Sequence, residues 1–149
     1  VSPSKAVRFK DVLSKLDLLI TNRAEAQILT GIEINDKSQA KTAIELLRGK
    51  GVPDVIITLG ATGVVSSTGL ETSFWSPLPT RVRDVNGAGD AFYSGFLASY
   101  AKPGTSFDAA IASGLAMASL TAETDGTTVW NLTQDAVSSR AAQARKTSL

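Results

Sequence analysis

Short apolar runs of strand length alternate along this chain with segments whose apolar residues recur at helical spacing, and few folds accommodate that alternation. "LDLLIT" (Leu16–Thr21) is one such run. It is followed by "NRAEAQILTG", where Asn22 is placed to cap a helix, Glu25 holds the third helical position and Gly31 ends it. "NDKSQAKTAIELLRGKG" predicts a second helix: Asp36 caps it, Ala40, Ala43, Ile44 and Leu47 form its apolar stripe, and Gly49 and Gly51 close it. "DVIITLG" (Asp54–Gly60) is a β-branched run ending at a glycine turn, and "GVVSST" with "ETSFWSP" reads as a hairpin around Gly69. "RVRDV" reads as another short strand. "AGDAFYSGFLASYAK", "SFDAAIASGLAMASLTAET" and "TQDAVSSRAAQARK" predict helices, the last amphipathic and capped by Thr133.

This order implies an α/β fold, a mostly parallel sheet with helices on both faces, to which the hairpin adds antiparallel strands. Phe9, Val12, Leu13 and Leu16 predict a further helix at the start. With no strand before it, the chain is expected to begin inside a βαβ unit, leaving a sheet edge open for a partner chain. A homo-oligomer is the expected consequence. The 149 residues are read as a single domain, 1–149.

Composition narrows the chemistry. The chain has no cysteine and no histidine, which excludes disulfides, thiolate or imidazole metal sites, cysteine nucleophiles and any triad built on histidine. Carboxylates, hydroxyls, amides, Lys, Arg and backbone groups remain. A formal net charge of +1 gives no footprint for a nucleic acid polymer or a membrane surface. No apolar run approaches the roughly 20 residues that span a bilayer, and "VSPSKAVRFK" is not a signal peptide. The expectation is a cytoplasmic protein.

The stretch "RVRDVNGAGDAFYSGFLASY" (Arg81–Tyr100) carries the strongest functional signal. With a strand before it and a helix after it, Asn86-Gly87-Ala88-Gly89 becomes a strand-to-helix turn. Amides in a first helical turn lack intrahelical acceptors and sit at the positive end of the helix dipole. Small residues let an anion approach them, so Gly87, Ala88 and Gly89 form a candidate phosphate site. A carboxylate beside a phosphate is repulsive unless it does chemistry, and Asp90 suits a general base that deprotonates an attacking hydroxyl. Taken alone, "GAGD" reads first as a turn that lets helix and strand pack closely, with Asp90 serving the dipole, since such four-residue matches are common.

The longer pattern goes further. Asp84-Val85-Asn86-Gly87-Ala88-Gly89-Asp90, with Phe92, Ser94, Gly95, Phe96 and Leu97, resembles the C-terminal signature of the PfkB (ribokinase-like) family of carbohydrate and nucleoside kinases. The resemblance implies Asp90 as catalytic base and the Gly87, Ala88 and Gly89 amides as the anion hole. "TLGATG" (Thr58–Gly63) resembles the family's nucleotide loop, which implies ATP contacts for Thr58, Gly60 and Gly63; by itself it is a β-turn with two permissive glycines. "NRAE" (Asn22–Glu25) resembles the N-x-x-E group and implies that Asn22 and Glu25 position Mg²⁺ through water and orient phosphate, compatibly with a helix cap. A monovalent-cation position is implied at Asp84, Asn86 and carbonyls near Thr121 and Gly126. Val85 and Asn86 replace the family's usual two threonines there, which weakens the expectation of cation dependence.

The resemblance covers essentially the whole chain but only the C-terminal, nucleotide-binding half of the family; the upstream half, with most acceptor contacts and the β-lid, is not in this sequence. It implies an ATP-dependent phosphotransferase acting on a primary hydroxyl of a sugar or nucleoside. "VSPSKAVRF", "ITNRAEAQILTG" and "FWSPLPTRVRDVNGAGDAF" are most similar to bacterial pseudouridine kinases, which makes pseudouridine the first acceptor to consider. The alternative is a nucleotide-binding or oligomerisation module without catalysis of its own. Leu115 stands where some relatives hold an adenine-contacting Asn, so apolar contact is expected there. Ala112, Gly114, Ala116 and Ala118 suit close helix packing, and Trp75 and Trp130 are expected to be packing residues rather than stacking platforms.

Overall fold

The computed structural model describes residues 12–149. They fall into two compact units: residues up to Ser76 together with Lys146–Leu149, and Pro77–Arg145. Of the expected first helix, Phe9 lies outside the described residues, and Leu13–Lys15 forms a short 3-10 turn with Leu13 buried.

The first unit holds a five-stranded sheet in the order β1 (Leu18–Asn22), β2 (Asp54–Thr58), β3 (Val64–Thr68), β4 (Glu71–Trp75) and β5 (Lys146–Ser148). β1 and β2 run parallel, while β2–β3, β3–β4 and β4–β5 are antiparallel, so the sheet is mixed rather than mostly parallel as expected: the hairpin and the added C-terminal strand contribute antiparallel pairs, and "RVRDV" adds no parallel one. The hairpin expected at Gly69 joins β3 to β4. Between β1 and β2 come α1 (Arg23–Thr30) and α2 (Lys37–Gly49), the crossover that a parallel pair requires.

Both helices start where the sequence places them. Asn22 and Glu25 form a reciprocal capping box on α1, and Asp36 and Gln39 form one on α2. Gly31 ends α1 in the left-handed region, with φ 80°. Ala40, Ala43, Ile44 and Leu47 are completely buried and share one apolar cluster with Ala26 and Leu29 of α1 and with Val55, Ile57 and Val65 of the sheet. Each large side chain removed from water there contributes about 1.5–3 kcal/mol. Val55, Ile56 and Ile57 are all fully buried, the pattern of a strand covered on both faces.

The C-terminal strand was not expected. The pattern "TQDAVSSRAAQARK" predicts helix through Lys146, but the helix stops at Ala141 and Lys146–Ser148 pairs with β4. That helix buries none of its residues, so no packing carries it further, whereas β4 offers a free edge. Lys146 adds a 2.6 Å ion pair to Glu71 and lies over the ring of Trp75.

The second unit contains α3 (Ala88–Tyr100), α4 (Phe107–Ala122) and α5 (Gln134–Ala141). α3 and α4 meet through two glycines. A β-carbon on Gly95 would lie 2.7 Å from the Ser113 carbonyl oxygen, and one on Gly114 would lie 2.9 Å from that of Phe92. The close helix packing read from the small residues of α4 is therefore present. Phe92, Phe96 and Tyr100, four residues apart on α3, stack in series, and Phe107 of α4 meets Phe96 edge-on at 5.5 Å.

"RVRDV" is not a strand. Val82 and Val85 are 60% and 68% exposed, and the Arg83 and Asp84 amides both donate to the single carbonyl of Ala122, at 2.8 and 3.3 Å. An extended segment becomes a strand only with a neighbour to form a ladder, and among the described residues this one finds only the end of a helix. Glu123 completes the anchorage. Its carboxylate accepts from the Arg140 guanidinium at 3.1 and 2.8 Å and from the Arg81 amide at 3.0 Å. The Arg140 hydrogen bonds, and after them the Arg81 amide, hold the Glu123 carboxyl below its ordinary value.

Two outcomes are expected. Gly95→Val should lose about 1–3 kcal/mol in denaturant unfolding, because the added carbons overpack the α3–α4 contact. Glu123, depressed in the folded chain, contributes stability above its unfolded value near 4.5 that disappears as pH falls through the lower folded value. The urea midpoint of the wild type should therefore fall more steeply below about pH 4.5 than that of Glu123→Gln.

Candidate functional site

In the first unit the candidate residues gather at the carboxyl ends of the two parallel strands. The register sets Asn22, last residue of β1, opposite Thr58, last residue of β2. Strand ends of this kind are where α/β sheets place ligands. The Asn22 side chain accepts from the Glu25 amide at 2.9 Å. In return Glu25, only 8% exposed, accepts through Oε2 from the Asn22 amide at 3.2 Å and from the Thr21 hydroxyl at 3.1 Å. The capping box thus aligns a buried carboxylate with the start of α1.

Beyond Thr58 the chain makes a 3-10 turn over Gly60–Thr62. Arg23, first residue of α1, donates to the Leu59 carbonyl at 3.1 Å and to the Thr62 hydroxyl at 3.0 Å, fastening this loop to the helix start. Nothing lies within 4 Å of a β-carbon built on Gly60. Gly63 is different: φ 111° and ψ −150° belong to a region essentially reserved for glycine, and a β-carbon would run into the Trp75 carbonyl.

In the second unit the turn before α3 has the expected form. Gly87 is the N-cap, with φ 79°, and no side chain caps the helix. One detail departs from expectation. The Ala88 amide donates back to the Val85 carbonyl at 3.2 Å, so it is already used by the turn, and the Gly87, Gly89 and Asp90 amides are those left without an intrahelical acceptor. An open cleft of about 780 Å³ lies beside the turn, lined by Asp84, Asn86, Gly87, Asp90, Ser94 and Thr121 among others. Asp84 accepts from the Asn86 amide at 2.9 Å, which folds the chain into the turn. Asp90 is exposed at its edge.

Thr121 is buried, and its carbonyl accepts from both the amide and the hydroxyl of Thr124, at 3.0 and 2.8 Å. The Thr124 hydroxyl also reaches the Gly126 carbonyl at 3.2 Å. Two of the carbonyls expected around a monovalent cation therefore converge on one hydroxyl, whose single hydrogen serves one of them at a time. For magnesium, one or two carboxylates suffice when nucleotide phosphates supply the other ligands. Glu25 fits that requirement, and among the described residues no group of three or more acidic, His or Cys side chains forms a metal cage.

Several participants were not legible. Arg23 sits inside "NRAE", yet its partners are 36 and 39 residues away, and nothing local marks Thr124. Thr127, Thr128, Val129 and Leu132 line the cleft from a segment without a motif. Trp75 is buried as expected, its Nε1 donating to the Ser66 hydroxyl at 2.9 Å. Trp130 is 83% exposed, so the packing role expected for it does not hold. Leu115 is buried.

Comparison with known proteins adds to this geometry. A family model for pfkB family carbohydrate kinases matches residues 1–134. The chain belongs to the PfkB family. It is 35% identical over 127 residues to a ribokinase of Haemophilus influenzae, covering 85% of this chain and 41% of that protein. It is 33% identical over 96 residues to the pseudouridine kinase of Escherichia coli K12, covering 64% and 31%. The chain thus spans less than half the length of these curated relatives. Among solved structures, a carbohydrate kinase from Agrobacterium tumefaciens aligns with TM-score 0.75 and 35% identity, over 99% of this chain and 46% of that one. Arabidopsis thaliana ribokinase complexed with ribose and ATP aligns with TM-score 0.72 and 28% identity, over 78% and 38%. The α/β, ribokinase-like fold expected from the PfkB signature is present.

Gly63→Ala should destabilise this chain by about 1–3 kcal/mol or more, since strain at a glycine-only conformation is joined by a backbone clash. Gly89→Ala should be neutral or stabilise by up to about 1 kcal/mol, because Gly89 is helical and a β-carbon there meets nothing within 4 Å. Thermal and urea unfolding of the two variants side by side measures the contrast.

Proposed function

We propose that this chain is the nucleotide-binding and catalytic part of an ATP-dependent kinase that phosphorylates a primary hydroxyl of a sugar or nucleoside. The observation that carries the reading is the uncapped start of α3, entered through Gly87, with Asp90 in its first turn at the edge of a cleft. Membership of the PfkB family, whose relatives include a ribokinase and a pseudouridine kinase, supports it.

In this reading the acceptor hydroxyl gives its proton to the Asp90 carboxylate as its oxygen attacks the γ-phosphorus. The bond from that phosphorus to the β,γ-bridging oxygen breaks, and ADP leaves. The Gly87, Gly89 and Asp90 amides, at a turn that Gly87 holds open, stabilise charge on the transferred group; a preorganised donor of this kind contributes roughly 2.7–4 kcal/mol. Thr58, Gly60 and Gly63 shape the nucleotide loop, and Arg23 holds it to α1. Mg²⁺, bound with the nucleotide, would neutralise phosphate charge, held through water by Glu25 and Asn22. Asp84, Asn86 and the Thr121 and Gly126 carbonyls would form the position of a monovalent cation, beside the Thr124 hydroxyl. Pseudouridine is the first acceptor to test, and a homo-oligomer in the cytoplasm is the expected state.

Asp90→Asn should lower turnover by about 10²–10⁴ and change nucleotide affinity by less than about threefold, measured by ADP release and by titration calorimetry. Undiminished turnover would remove Asp90 as the base. Gly89→Ala separates binding from folding. Helical β-carbons lean toward the helix N-terminus, so the added methyl should weaken Mg·ATP binding although the chain stays folded. Binding of Mg·ATP without ADP release, for pseudouridine, ribose or other sugars, would favour a nucleotide-binding module without catalysis.

A further inference from the structure

Arg140 lies beyond residue 134, where the family match ends, and no motif read from the sequence includes it. Its guanidinium nevertheless joins three separate partners in the second unit. Its Nη1 donates to the Ser119 hydroxyl at 2.5 Å, to Glu123 Oε1 at 3.1 Å and to the Pro79 carbonyl at 3.3 Å, and its Nη2 donates to Glu123 Oε2 at 2.8 Å. Its side chain is 19% exposed and that of Glu123 is 28% exposed. A forked, partly buried guanidinium–carboxylate pair of this kind fixes geometry in a way that a surface ion pair does not.

What the pair fixes is the segment leading into the phosphoryl turn. Glu123 Oε1 takes the Arg81 amide, and the neighbouring Ala122 carbonyl takes those of Arg83 and Asp84. The Thr80 and Ser119 hydroxyls are 2.8 Å apart, and Arg140 bonds the Pro79 carbonyl directly. Pro79, Thr80 and Arg81 are thus held along the end of α4 by Arg140 or by partners that Arg140 itself holds, and Arg83 and Asp84 by the carbonyl of Ala122, the residue next to Glu123. Asp84, the last of them, folds the chain into the turn through the Asn86 amide. Three residues after Asp84, Gly87 opens α3.

We propose that Arg140 is a positioning residue for phosphoryl transfer: it sets residues 79–84 against α4 and so fixes the placement of the Asn86–Asp90 turn. The inference rests on the reading of that turn as the phosphoryl site. Arg140 touches no reacting atom, and its effect passes through Glu123 and the 79–84 segment. Lysine is no substitute, since its single ammonium cannot make the fork and reach Ser119 and Pro79 as well.

The test combines residue-resolved hydrogen exchange and Mg·ATP calorimetry on the 149-residue chain. Wild type, Arg140→Ala, Arg140→Lys, and Arg140→Ala with added guanidinium are compared. Arg140→Ala should exchange the Arg81, Arg83 and Asp84 amides about tenfold faster or more, with Phe96 and Ile111 in α3 and α4 unchanged. Its Mg·ATP affinity should fall about tenfold, guanidinium should restore both properties, and Arg140→Lys should be only partly protected. Should Arg140→Ala not fold, Arg140→Lys carries the same comparison. Unchanged exchange at the three amides overturns the proposal. So does equal acceleration throughout α3 and α4, which marks a general stability effect, or failure of guanidinium to restore protection. If the wild-type chain does not bind Mg·ATP, the phosphoryl reading fails, and exchange with guanidinium rescue decides the placement role by itself.

Discussion

Every helix must find partners for the amides of its first turn, and the structure is organised around how it meets that demand. Asn22 and Asp36 do so for α1 and α2 through reciprocal boxes, and Ser106 and Thr133 do so for α4 and α5 with their hydroxyls. On α3 no side chain fills that role. The cap of α1 also serves a second purpose, because the hydrogen bonds that close it draw the Glu25 carboxylate out of water and toward the ends of the parallel strands. Local helix chemistry and candidate site chemistry are therefore the same chemistry at two places in the chain.

Where the sequence was legible, the forces were local. Capping boxes need four consecutive residues, the buried stripe of α2 needs a period of 3.6, and the hairpin at Gly69 needs two β-branched runs and a turn. Asn22, Glu25, Asp36, Ala40, Ala43, Ile44 and Leu47 could all be assigned on such grounds. The glycine run before Asp90 could be read as a helix start for the same reason.

The illegible parts depend on distant partners. "RVRDV" has strand composition, and only the absence of a neighbouring ladder among the described residues, together with the Ala122 carbonyl some 40 positions later in the chain, decides its conformation. "KTSL" has no strand signal strong enough to outweigh the helical pattern before it, and the vacant edge of β4 decides that segment. Arg23, Thr124 and Arg140 look like ordinary polar residues until the fold supplies carbonyls and a carboxylate. Polar contacts of this kind carry no periodicity, so a reading built on patterns passes over them.

The place of β5 has a topological consequence. Because β4 ends just before the second unit begins and β5 starts where it ends, the second unit is inserted between two paired strands of the first. Closing a loop on the order of 70 residues costs about 4 kcal/mol of chain entropy if the loop is unstructured. A three-residue strand with one ion pair offsets that cost poorly. The β4–β5 pairing is thus a long-range contact, joining two segments of the first unit that lie on either side of the whole insert in the chain.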